Sequence, residues 1–209
     1  MAFIKSETIY TQRVFRTFIE AQNIFEDMDA DESLRLEALE YLLIHKEISY
    51  ILDMLLLQYD KLNNSDHSLL DHAFANFGSK PKRDDDFNSI FKMLESHNAY
   101  LRNKAITFLQ DSGENAKGFI KKLLHDEQRD IRIFAVNILG DVKYEDSRIM
   151  LLELIQEEKD VNVLMTAIDY LGEIGDQDDT ELLMSLKDKF THEPYVAFGI
   201  DMACEKIKG

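Results

Sequence analysis

The chain has 209 residues, 45% of them hydrophobic, with two prolines, eight glycines and a formal net charge of −16. This composition excludes a disordered chain, and the strong negative charge argues against binding to nucleic acids or to anionic membranes. Because Cys204 is the single cysteine and no stretch reaches the roughly 18 apolar residues of a membrane span, we expect a cytoplasmic protein.

Apolar residues recur at helical spacing and predict helices along the whole chain. The first is expected over about 7–26, and the next three over about 33–44, 47–62 and 68–76. Four further pairs are predicted at about 87–95 with 100–110, 116–125 with 130–139, 148–157 with 161–171, and 180–190 with 194–207. The pattern therefore predicts twelve helices in six antiparallel pairs.

Glycine and proline are expected to mark three helix ends. Gly140 and Gly172 stand where the left-handed residue of a helix C-terminus belongs. Pro194 falls in the first turn of the last helix, where its missing N–H group costs nothing.

The stretch Lys80-Pro81-Lys82-Arg83-Asp84-Asp85-Asp86 changes the local composition abruptly. It predicts a longer loop between repeats and a looser joint at 79–86, within a single domain of residues 1–209. Asp85 or Asp86 is expected to cap a helix that begins at Phe87.

A phrase centred on Ala135, from Asp130 to Gly140, recurs in variant form along the chain. The equivalent central residues are Ala38, Ala73, Ala105, Ala135, Ala167 and Gly199, which are spaced by 35, 32, 30, 32 and 32 residues. We call these six residues the anchors. A nearly constant period of this size indicates a solenoid built by stacking one helix pair on the next.

The segment Asp126–Gly140 has an acid in its turn, an aliphatic–Arg pair, a small residue three positions later and Leu-Gly at its end. It resembles the HEAT-like repeats of the phycobilin-lyase type, over about residues 29–206. The resemblance implies a right-handed α-α superhelix of about six HEAT-like pairs, whose second helices line a concave face. It also implies a ladder of turn acids and helix arginines between repeats, formed here by Asp29, Arg35, Arg102, Asp126 and Arg132.

Columns of equivalent residues separate core from surface. Positions four before, one after and four after each anchor are apolar in nearly every repeat and are expected in the core. Positions two before and two after an anchor share one helical face. We expect that face to be a groove lined by Leu36, Glu40, Asn103, Ile133, Asn137, Met165, Asp169 and Asp201. Such aliphatic and acidic side chains suit a basic amphipathic segment of a protein partner, unless they pack under neighbouring helices and bind nothing.

No catalytic motif appears in the sequence. The lone His192-Glu193 dipeptide lacks the repeated His-Glu pairs of HEAT-like iron enzymes, and no histidine is fixed beside Cys204. We therefore expect no catalytic residue, no metal and no cofactor.

The leading functional hypothesis is a non-enzymatic scaffold or adaptor that binds a protein partner in the groove. The alternative, implied by the resemblance, is a lyase-like or chaperone-like subunit that assists the attachment of a tetrapyrrole to a partner protein. Apolar residues of the last helix, Tyr195, Val196, Phe198 and Met202, make the C-terminal end a candidate homodimer interface.

Overall fold

The computed structural model describes residues 15–59 and 67–209, and each regular element in these ranges is an α-helix. The helices are α1 (Phe18–Glu26), α2 (Glu32–His45), α3 (Ile48–Tyr59), α4 (His67–Asn76), α5 (Asp84–Leu94), α6 (Ala99–Ser112), α7 (Glu114–Leu123), α8 (Arg129–Val142), α9 (Ser147–Glu157), α10 (Val161–Ile174), α11 (Asp179–Lys189) and α12 (Pro194–Lys208). The predicted all-α fold of the α-α solenoid class is confirmed. None of the described helices is long and apolar enough to cross a membrane.

Most predicted helix bounds agree with the structure, and the first differs. The side-chain oxygen of Thr17 accepts a hydrogen bond from the N–H group of Glu20, so α1 begins at Phe18 instead of continuing back through residues 15–17. The predicted helical residues 7–14, and the end of the third helix at 60–62, lie outside the described residues. Pro194 occupies the first turn of α12, as expected.

The described residues divide into two compact units, one up to Ile90 and the other from Phe91 to Gly209. In the first unit, α1 packs against α2, and α2 also packs against α3 and α4. The boundary between the units lies inside α5 and thus after the stretch 79–86, where we expected a looser joint. A single domain of residues 1–209 stays a prediction.

Asp86 holds the stretch before α5 in place. It is only 4% exposed, and its carboxylate accepts hydrogen bonds from the N–H groups of Ser49, Lys82 and Arg83 at 3.2, 3.3 and 3.2 Å. The prediction of a helix starting at Phe87 is wrong, because Asp84, Asp85 and Asp86 already form the first turn of α5. Acidic residues in a first turn interact favourably with the positive end of the helix dipole.

The second unit consists of two layers of helices. The second helices of successive repeats, α6, α8, α10 and α12, pack against one another in that order. The first helices form the other layer, in which α7 contacts α6 and α8, α9 contacts α8 and α10, and α11 contacts α12. Each new pair therefore buries the apolar face of the pair before it.

The core follows the repeat. The five alanine anchors are fully buried, and Gly199 is buried as well. Most side chains of the three apolar columns are buried or half-buried, and Tyr195, which is 49% exposed, is the clear exception. Tyr195 lies at the start of α12, a helix that packs against α10 and α11 on one side.

Gly140 and Gly172 do not end their helices. Both lie inside a helix, and the residue with a left-handed backbone after α8 is Lys143, with φ of 52°. A Cβ atom on Gly140 would overlap the ring of Tyr170, and one on Gly172 would lie 3.1 Å from Cα of Ala203. The glycines are therefore small so that the next second helix can approach closely.

Candidate functional site

Arg132 on α8 connects two successive repeats. Its Nε and Nη2 atoms donate to the two carboxylate oxygens of Glu158 at 2.7 and 3.0 Å. Its Nη1 atom donates to the backbone carbonyl oxygens of Asp126 and Glu127 at 2.9 and 3.1 Å. Asp126 thus supplies a backbone carbonyl instead of the expected carboxylate, which accepts the N–H group of Gln128.

Glu158 occupies the place in its own turn that Asp126 occupies one repeat earlier. Each of the two acids stands two residues before the N-cap of the following helix, Gln128 for α8 and Asp160 for α10. This tie therefore joins Arg132 to the acid of the next turn and not to the acid of its own turn.

Burial raises the pKa of Glu158, but hydrogen bonds from Arg132 and from the N–H groups of Asp160 and Lys159 outweigh burial. The pKa of this carboxyl therefore lies below its usual value. The same hydrogen bond to Glu158 raises the pKa of Arg132. Both side chains are charged at neutral pH, and their pairing is a structural tie between two repeats.

Arg148 and Asp179 form a second tie, between the first helices α9 and α11. The two hydrogen bonds from the guanidinium to the carboxylate measure 2.7 and 2.6 Å, and Asp179 is only 4% exposed. Burial raises the pKa of Asp179, but the hydrogen bonds from Arg148 and from the N–H group of Asp176 outweigh burial. The pKa of Asp179 therefore lies below its usual value. The pair lies outside the predicted ladder, because Arg148 and Asp179 belong to different repeats, 31 residues apart.

The other predicted ladder residues have different contacts. Arg35 is buried, and it donates to the carbonyl oxygen of Phe25 at 3.0 Å and to Sδ of Met28 at 3.6 Å. Asp29 is exposed, and its N–H group donates to the carboxylate of Asp27. Arg102 donates to the carbonyl oxygen of Ser96 at 2.8 Å.

The eight predicted groove residues differ in exposure. Leu36 and Glu40 lie in the first unit, where Glu40 is 3.3 Å from Nε2 of His72, and the other six lie in the second. Met165 is buried and belongs to the core. Its Cε atom occupies the space in which a side chain on Gly199 would lie. The remaining side chains are exposed at Asn103, Asp169 and Asp201 and half-buried at Leu36, Glu40, Ile133 and Asn137.

Besides Asp130, which is paired with Arg129, six exposed carboxylates lie on the layer of second helices in the second unit. We call them the acidic ridge: Asp111, Asp141, Asp169, Glu173, Asp201 and Glu205. Among the described residues, Asp201 is the one member that forms an ion pair within 4.0 Å, with Lys187. A hydrogen bond from Gln110 on α6 to Asp141 on α8 shows that neighbouring helices meet on this face.

The sequence contains a signal for the ridge beyond the groove column. Four of its members stand six residues after their anchors, at Asp111, Asp141, Glu173 and Glu205. That column lies four residues beyond the groove column and therefore on the same helical face. The column six residues after each anchor therefore identifies the ridge from the sequence.

The groups that could perform chemistry are sparse in this structure. Burial raises the pKa of the Cys204 thiol, which weakens it as a nucleophile. Across residues 15–59 and 67–209, no three His, Cys, Asp or Glu side chains come together in a way that could hold a metal ion. His192 and Glu193 are both exposed in the turn before α12.

Residues 116–193, from α7 to the turn after α11, match the family of HEAT repeats. No curated protein matches the chain. The solved structures that match include the crystal structure of an engineered protein, a target of the Northeast Structural Genomics Consortium. It is 15% identical, the alignment covers 90% of this chain and 96% of that chain, and its TM-score of 0.41 is too low to carry an argument.

The family match does not extend to the phycobilin-lyase type, which nothing in these comparisons supports. The matched repeats and the helix pairs together support a HEAT-like repeat protein of the α-α solenoid class.

Proposed function

We propose that this protein is a non-enzymatic scaffold that binds a basic segment of a protein partner along the acidic ridge. HEAT repeats generally serve as protein-interaction scaffolds, and the matched repeats span most of the unit that carries the ridge. The single observation that carries the proposal is the ridge itself: its exposed carboxylates recur on four successive second helices, and in the described part of the chain Asp201 is the one ridge member with a cation within 4.0 Å.

Charge complementarity explains why the partner should be basic. A row of like charges attracts a cationic segment from a distance and aligns it along the row. The attraction falls with salt, because the screening length shrinks from about 10 Å at 0.1 M ionic strength to about 3 Å at 1 M.

The proposal can be tested with a fluorescent lysine–leucine amphipathic peptide and fluorescence anisotropy. Charge reversal at two positions of α10, Asp169→Lys with Glu173→Lys, should weaken binding by at least about tenfold, since two attractions become repulsions. The control is Glu181→Lys with Asp188→Lys on α11, which changes the net charge equally on the other layer and should retain most of the affinity.

Equal binding to wild type and to the α10 variant would exclude the ridge as the binding surface. Equal losses from the α10 and α11 variants would show that the peptide responds to net charge alone. Circular dichroism melts of both variants, expected to stay near the wild-type melt, show that the fold is retained.

We propose in addition that the exposed stripe of α12 lets two copies of the chain associate. Tyr195, Phe198 and Met202 are 49%, 67% and 41% exposed and stand at positions i, i+3 and i+7 of one helical face. Sedimentation equilibrium should show a concentration-dependent dimer that Phe198→Glu abolishes. Ile149→Glu, at an exposed isoleucine of α9, is the control and should leave association unchanged. A monomer at every concentration contradicts this proposal.

A further inference from the structure

A surface pocket of about 460 Å³ opens between the turn that joins α5 to α6 and the first turns of α8. One wall is apolar and includes Leu94, Ile133 and Phe134. The polar wall includes Arg102 and Gln128. We call this cavity the turn pocket, and it lies entirely within the second unit.

Among the described residues, the guanidinium group of Arg102 forms a hydrogen bond through its Nη1 atom alone. Its Nη1 atom donates to the carbonyl oxygen of Ser96 at 2.8 Å, just as Nη1 of Arg132 donates to the carbonyl oxygen of Asp126 at 2.9 Å. The Nε and Nη2 edge of Arg132 holds the carboxylate of Glu158. In residues 15–59 and 67–209, the structure pairs Arg102 with no carboxylate.

The acids of the two successive turns differ by one methylene group. Asp126 stands where Glu158 stands one repeat later, and its carboxylate accepts the N–H group of Gln128 at 2.8 Å. Glu158 accepts the equivalent N–H group, that of Asp160, also at 2.8 Å, and still reaches Arg132. Asp126, which is one methylene group shorter than Glu158, forms no ion pair with Arg102 in the described part of the chain.

The acids that line the turn pocket are already engaged. The carboxylate of Glu95 accepts Nε2 of Gln128 at 2.6 Å, and that of Asp130 accepts Nε and Nη2 of Arg129 at 2.9 and 2.7 Å. Glu95 thus binds a neutral amide and Asp130 binds Arg129, and neither carboxylate bonds Arg102. The Nε and Nη2 donors of an arginine can hold one carboxylate with two parallel hydrogen bonds. Apolar side chains beside such a pair favour a ligand with one acid next to an apolar residue over a ligand with several acids in a row.

We propose that the turn pocket binds a single acidic side chain of a peptide, whose carboxylate is held by Nε and Nη2 of Arg102 as Arg132 holds Glu158. The apolar residue next to that acid packs against Ile133 and Phe134. This site is separate from the acidic ridge in charge and location, and either one can exist without the other.

The test uses the peptide acetyl-Leu-Glu-Leu-amide and follows amide chemical shifts of the labelled full chain. The largest shifts should fall on residues of the turn pocket, and the matched peptide with Gln in place of Glu should bind at least about tenfold more weakly, because a hydrogen-bonded charge pair is lost. Arg102→Gln should weaken binding by a similar factor. Lys104→Gln, which removes a charge from the same helix outside the pocket lining, should leave affinity unchanged.

Asp126→Glu provides an independent test that does not remove Arg102. The added methylene group recreates the geometry of Glu158, so the protein's own carboxylate should occupy the edge of Arg102, raise the melting temperature and abolish peptide binding. Binding of the Glu peptide to this variant with wild-type affinity would overturn the proposal. Equal affinity for the Glu and Gln peptides, or for acetate and the Glu peptide, would also overturn it.

Discussion

Replacing Gly140 by alanine tests whether this glycine is needed for helix packing or for ending a helix. Gly140 lies inside α8, and a Cβ atom there would come closer than 3.0 Å to three ring atoms of Tyr170 on α10, a separation that real Cβ atoms almost never show. Gly118 lies inside α7 with nothing within 4 Å of a Cβ atom. The two glycines therefore make a matched pair.

The expected effects differ in sign. Replacing glycine by alanine inside a helix stabilises by about 1 kcal/mol, and Gly118→Ala should show that gain almost unopposed. Overpacking a tight contact costs about 1 to 3 kcal/mol, so Gly140→Ala should be destabilising by up to about 2 kcal/mol after the helix gain is subtracted. We expect the free energies of unfolding of the two variants to differ by about 1 to 3 kcal/mol.

The measurement is urea denaturation of wild type, both single variants, Tyr170→Ala and the double variant Gly140→Ala with Tyr170→Ala. Without the ring of Tyr170, the alanine at position 140 should stabilise by about 1 kcal/mol, so the double-mutant cycle isolates the clash. A Gly140→Ala variant that is as stabilising as Gly118→Ala with Tyr170 present would refute this account of the packing.

Three further substitutions test other parts of the structure. Leu139→Ala removes a fully buried side chain from α8 and should cost about 2 to 5 kcal/mol in thermal or urea unfolding, and a loss below about 1 kcal/mol would contradict its core position. Lys143→Gly should stabilise by about 1 kcal/mol in the same assay, because Lys143 has a left-handed backbone with φ of 52°, and a loss of stability would argue against this conformation. Asp179→Asn breaks the tie to Arg148 and should cost about 1 to 3 kcal/mol at pH 7. The folded-state pKa of Asp179 is depressed, so its stabilisation is complete above the ordinary carboxyl pKa of about 4 and is lost as the pH falls below it; the gap between wild type and this variant should close toward pH 2, and a gap that persists there would contradict the assignment.

The helical repeat was predictable because its signal is local. Every turn of a helix that faces the core needs an apolar residue, and a period near 32 residues needs only that successive pairs have similar length. The fully buried anchors Ala105, Ala135 and Ala167 show that a recurring small residue identifies the core face of the second helices.

The candidate site was predicted less completely. The exposure of Asp169 and Asp201 follows from their position in the helical repeat. Met165 lies four residues before Asp169 on the same predicted face, but it is buried. The periodicity of α10 alone cannot distinguish these cases, because the burial of Met165 depends on Gly199 in another helix.

The sequence by itself therefore determined the class of fold, the helix pairs, the anchors and the exposed acidic faces of the second helices. Tertiary structure alone decided that Gly140 makes room for Tyr170 and that Arg132 pairs with Glu158, whereas Arg102 pairs with no acid among the described residues. The physical reason is that helix formation depends on neighbours within one turn, while these contacts join residues about one repeat apart. They depend on how closely two helices pack and on how far one side chain can reach.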